Sequence, residues 1–224
     1  MEMDVPIPLP VKIRYEDVLH FLGYPAGHRP PERIERQIHP LLEEARELVD
    51  ARGAYRHLPL EAASEVGLEP MKASGLVVGL VTAGGKIENS SAERADGGDM
   101  TAALLLDAMG SAAAEEAADR LGMCVVAGSP ADASGAAPDG ETYVPSISCR
   151  ISPGYGRWPL AAQVKLFERL PHRELGVELL PSLLMVPRKS ISLAMWMGAD
   201  ARPIAGLSGC KECNLERCQY RPKR

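Results

Sequence analysis

The stretch Cys149-Arg150-Ile151-Ser152-Pro153-Gly154-Tyr155-Gly156-Arg157-Trp158-Pro159 decides how this chain is read. Pro153 fixes one backbone angle, and Gly154 reaches conformations closed to other residues, so the pair predicts a tight turn. Arg150, just before the turn, carries a planar fork of donors that matches a carboxylate. Tyr155, just after it, adds a flat face with a hydroxyl. Together these features suit a zwitterionic amino-acid group joined to a flat heterocycle. The same residues also make an ordinary turn with a surface ion pair, and spacing alone leaves both readings open.

Working outward, residues 159–170 read as a helix bounded by Pro171. Leu183 to Val186, Pro187-Arg188-Lys189 and Ser190 to Met197 read as strand, turn and strand. In the last of these, Ile191, Leu193, Met195 and Met197 alternate with Ser190, Ser192, Ala194 and Trp196. Before the turn, Thr142 to Ile151 reads as extended, with Pro145 marking an edge or irregular strand. Gly128 to Gly140 has the composition of a surface loop. Asp99 is placed to cap an alanine-rich helix from Met100 to Leu121, with Gly122 as its stop. Gly110 in mid-helix predicts close packing of that helix against a sheet.

Leu76 to Thr82 is a short Val-rich run entering the turn signal Ala83-Gly84-Gly85, as a buried strand does. The spacing of Gly79, Gly84 and Gly85 does not fit a dinucleotide-binding turn. Residues 31–50 place Ile34, Ile38, Leu41, Leu42, Ala45, Leu48 and Val49 on one helical stripe, with a kink or break expected at Pro40. Residues 14–22 read as a short helix ended by Gly23. The pattern gives one α+β domain over residues 1–200 and a cysteine-bearing tail over 201–224.

The 46% hydrophobic content is ample for a core, but aromatics supply only 4%, so Leu, Val, Ile, Ala and Met must build it. A net charge of −5 and the absence of a long basic run argue against a nucleic-acid partner. No apolar run approaches the roughly 18 residues of a membrane span. The start Met1-Glu2-Met3-Asp4 lacks the basic and apolar regions of a secretory signal, so the expected location is the cytoplasm.

The run from Arg150 to Tyr155 resembles the Arg-x-x-x-Gly-Tyr motif of the activation (reactivation) domain of cobalamin-dependent methionine synthase. Leu175 to Pro187 is similar to the segment leading into that domain's last hairpin, and Ser190-Ile191-Ser192 to its returning strand. The likeness covers about residues 147–195 and extends to the helix at 100–121. It implies a mostly antiparallel twisted sheet with flanking helices, here in a free-standing form. It implies an accessory protein that binds S-adenosylmethionine and presents its methyl group to a cobalamin that has fallen to the Co(II) state. The cobalamin would sit on a partner, a methionine synthase or another corrinoid protein, and a flavodoxin-type donor would supply the electron. Carried over by position, the ligand contacts are Arg150, Ser152, Pro153, Gly154 and Tyr155. The family's acidic contact on the preceding helix aligns with Ser111, and Glu115, one turn later, stands in for it. The family's tyrosine beyond the last strand has no counterpart, since Gly198-Ala199-Asp200 follows here.

Cys210, Cys213 and Cys218 form a Cys-x2-Cys-x4-Cys array in the tail, which suits a zinc or iron–sulfur site, redox-active or partner-facing thiols, or an inert tail, the first being the expectation carried forward. A fourth ligand would come from Cys124, Cys149, a histidine or a partner. Alternative functions on the same fold are a metal or iron–sulfur redox protein and a non-catalytic module that binds a corrinoid protein. His20, His28, His39, His57 and His172 are scattered and form no motif.

Overall fold

In a computed structural model of the chain, the described residues are 5–25, 27–69, 73–128, 147–148 and 150–198. The tail with Cys210, Cys213 and Cys218, together with Cys149 and the segment 129–146, lies outside them. The elements run β1 (Ile7–Pro8), α1 (Tyr15–Phe21), α2 (Glu32–Leu48), β2 (Arg52–Leu58), a 3₁₀ helix (Leu60–Val66), β3 (Gly75–Thr82), α3 (Lys86–Asp96) and α4 (Met100–Gly128). A 3₁₀ turn (Leu160–Ala162), α5 (Gln163–Phe167), β4 (Glu178–Leu179), β5 (Met185–Val186) and β6 (Ser190–Met197) complete them. The fold is α+β, built on a four-stranded antiparallel sheet in the order β1-β2-β3-β6.

The sheet is buried on both faces, and the period of two sorts its side chains. Val77 and Val81 of β3 and Leu193 and Met195 of β6 pack beneath Ala117, Ala118, Leu121 and Val125 of α4. Leu76, Val78, Leu80, Ala194 and Trp196 face the opposite way, onto Trp158, Leu166, Phe167 and Leu170. Two glycines let α4 sit close. A Cβ on Gly79 would stand 2.7 Å from Leu121 Cδ2, and one on Gly53 of the adjacent strand 3.1 Å from Leu121 Cδ1. The Leu121 side chain therefore fills a notch that only glycine leaves open. The N-terminal half of α4 turns a second face, with Leu105, Leu106, Met109 and Ala113, to α1 and α2.

The expected helices at both ends of the N-terminal region are present, and Asp99 caps α4 through Oδ1, 3.0 Å from the Ala102 N–H. Four expectations need correction. Helix α2 continues through Pro40 without a break. Pro40 and Arg36, whose carbonyl loses its usual partner, are both exposed, so water can take that bond. Helix α4 does not stop at Gly122 but runs to Gly128. Gly122 is a buried packing position facing Ile147 and Met195, not a cap. The expected helix at 159–170 is a 3₁₀ turn and the short α5, which tightens at Arg169, where the N–H reaches the Leu166 carbonyl at 3.0 Å. The strand before Pro187 pairs with β4, not with β6. Both edges of β6 are already taken, by β3 on one side and by Ile147 and Ile151 on the other.

Candidate functional site

The segment around Arg150 is fixed at both ends before its side chains are considered. Ile151 exchanges two backbone bonds with Ala194 of β6, at 2.9 and 2.8 Å. Seven residues on, Trp158 is buried and its indole Nε1–H donates to the Val66 carbonyl at 2.8 Å. Between these anchors the Tyr155 N–H donates to the Ser152 carbonyl at 3.1 Å. Pro153 and Gly154 are the central residues of that turn, and Gly154 has φ +93°. Proline second and a positive-φ glycine third is the chemistry of a type II turn. A second reversal follows, in which Trp158 N–H donates to Tyr155 O at 3.0 Å and Gly154 N–H to Trp158 O at 2.8 Å. Pro153 is buried inside the turn, Ser152 is half-buried, and Tyr155 is 51% exposed at its tip.

Arg150 leans across to helix α4. Its Nη2 donates to Glu115 and its Nε to Asp119 Oδ1 at 3.1 Å. Glu115 and Asp119 are four residues apart and so lie on one face of the helix. The Arg150 side chain is only 19% exposed. Burial pulls its pKa down, but the charges of Glu115 and then Asp119, with their hydrogen bonds, outweigh that and hold it above the ordinary arginine value. The guanidinium is therefore a fixed cation. Two carboxylates against one guanidinium leave the cluster with one surplus negative charge.

One and two turns earlier on the same helix face stand Ser111 and Asp107, and a second cation meets them. Lys189 Nζ is 2.8 Å from Asp107 Oδ1 and 2.9 Å from Ser111 Oγ. Its stem crosses the helix at Gly110, where a Cβ would stand 3.1 Å from Lys189 Cγ and 3.3 Å from Ile87 Cγ2. The mid-helix glycine thus admits a lysine stem and helix α3, where packing against the sheet was expected. Arg188 is held by Glu88, from its backbone N–H and its Nε, both at 2.7 Å.

The structure therefore joins Arg150 to Glu115 and places Ser152, Pro153, Gly154 and Tyr155 in one turn beside them. Asp119 and Lys189 were not singled out in the sequence, although the four-residue spacing Asp107, Ser111, Glu115, Asp119 marks a polar stripe. A separate cavity of about 490 Å³ opens between the start of α3 and the loop before β4, lined by Gly85, Glu88, Asn89, Arg173, Glu178 and Pro187 among others. It contains none of the turn residues, and Glu88 in its wall is already committed to Arg188. Among the described residues no group of three His, Cys, Asp or Glu side chains is disposed to hold a metal ion. Among them, too, no helix is long and apolar enough to cross a membrane.

No protein-family model and no curated protein matches the chain. Solved structures do match. One is the crystal structure of the MetH reactivation domain bound to AdoHcy, with a TM-score of 0.59 over 89% of this chain and 82% of that one, at 16% identity. This likeness shows the fold that the turn motif led us to expect.

Proposed function

We propose that this chain binds S-adenosylmethionine beside the Ser152–Tyr155 turn and helix α4, and serves in reactivating the cobalamin of a methionine synthase or another corrinoid methyltransferase. One observation carries the reading. A half-buried arginine, held by two carboxylates, stands at the head of a rigid Pro-Gly turn, on a fold whose solved neighbour holds AdoHcy. The ligand's amino-acid end bears a carboxylate, an ammonium and, one short chain away, a sulfonium. Arg150 suits the first, and the Glu115 carboxylate beside it suits the other two. Tyr155 offers an exposed aromatic face to the adenosine portion.

The corrinoid on the docked partner supplies the nucleophilic metal. The protein's own task is orientation, because no proton moves when a sulfonium gives up its methyl group. That is compatible with a site that has a fixed cation and a stiff turn. A flavodoxin-type donor and a cytoplasmic setting belong to the same proposal. So do the domain boundary near residue 200 and a zinc or iron–sulfur site at Cys210, Cys213 and Cys218.

The assay mixes this chain with a corrinoid protein in the Co(II) state, a reductant and S-adenosylmethionine. The Co(II) absorption decays only when all four are present. Decay at the same rate without this chain contradicts the proposal.

A further inference from the structure

Resting on that reading, we propose that Asp119 is a positioning residue: it fixes the guanidinium plane of Arg150 so that the two-nitrogen end of the fork is left to the ligand's carboxylate. A guanidinium carries five N–H donors, along a side edge formed by Nε and Nη2 and an end edge formed by Nη1 and Nη2. Asp119 takes Nε at 3.1 Å and Glu115 takes Nη2, so the side edge is spent on helix α4. Among the described residues Nη1 has no such contact, and the end edge keeps the geometry of a bidentate carboxylate clamp.

Either acid alone would leave this plane loose. Arginine has four rotatable side-chain bonds, and a single carboxylate on Nη2 lets the group pivot about that contact. Two acids one turn apart, about 6 Å along the helix axis, grip two atoms and stop the pivot. The base of the side chain is fixed as well, because Ile151 is paired in both directions with Ala194. Asp119 is itself 64% exposed, and nothing in the packing of α4 requires a carboxylate there. Its geometry is explained by what it does to Arg150.

The test uses two nucleosides that differ in the group Arg150 would hold. S-adenosylhomocysteine has the amino-acid end, and 5′-methylthioadenosine lacks it. Asp119→Ala weakens S-adenosylhomocysteine about tenfold and leaves 5′-methylthioadenosine unchanged. Asp119→Asn retains most of the affinity, because its amide oxygen still accepts the Nε–H. In the free protein the Arg150 Nε–H resonance is slow to exchange in the unmodified chain and in Asp119→Asn, and fast in Asp119→Ala. An Asp119→Ala variant with unchanged affinity overturns the inference. So does an equal loss for both nucleosides, which marks general damage, or an equal loss in both variants, which marks a direct charge effect on the ligand. An unmodified chain that binds neither nucleoside contradicts the functional reading and takes this inference with it.

Discussion

Helix α4 meets a cation at two places along one polar stripe, and the two differ in what is left over. At the earlier place Lys189 is 11% exposed, its ammonium bound to Asp107 and Ser111 and its stem laid in the groove that Gly110 leaves. At the later place Arg150 is nearly as buried, yet its two acids use only one edge of a five-donor group, and an exposed turn and tyrosine follow it. The first contact uses two of the three ammonium donors and holds the start of β6 to the helices. Among the described residues the second leaves the end edge of its guanidinium unused, which is the state a binding group needs. Burial and charge pairing alone do not separate a structural ion pair from a site, whereas a whole edge of paired donors left unused does.

The sharpest way to break this comparison is to free the turn from the core. Trp158→Ala removes a buried indole and its bond to Val66, and should cost about 3–5 kcal/mol in urea unfolding. A loss under about 1 kcal/mol would mean that the turn is not anchored as described. A smaller effect sharpens the contrast between the two cations. Lys189→Ala removes the ammonium from Asp107 Oδ1 and Ser111 Oγ and should lower stability by about 1–2 kcal/mol, with nucleoside affinity unchanged. If Lys189→Ala instead spoils binding and spares stability, the roles assigned to the two ends of the stripe are reversed.

Much of this layout was legible from the residues. The Val-rich run 76–82, the alternation in 190–197 and the apolar stripe of 31–50 gave β3, β6 and α2, because each buries a regular face. Strand β2 was not legible. Its sequence Arg52-Gly-Ala-Tyr-Arg-His-Leu58 does not alternate, and Gly53 is apolar surface only in the sense that Leu121 fills the space above it. Helix α3 was missed for a related reason. Only Ile87 and Ser91 of it are buried, and a single bond from Ser91 Oγ to the Ala103 carbonyl at 2.8 Å helps seat it on α4. The turn and Arg150 were legible because Pro-Gly chemistry and a resemblance both marked them. Glu115 was singled out as a stand-in one turn after Ser111, which aligns with the family's acidic position, but Asp119 needed the three-dimensional pairing, since a helix carboxylate looks the same in sequence whether it is solvated or bound.

The claim that this paired but unsaturated arginine is a ligand site is tested most directly by calorimetric titration with S-adenosylmethionine, for the unmodified chain and for Arg150→Ala. The account predicts a single site in the first and a weakening of about 1.5–3 kcal/mol in the second, the range for a hydrogen bond to a charged group. Equal affinities in the two proteins, or no binding to the unmodified chain with or without a corrinoid protein, would contradict it.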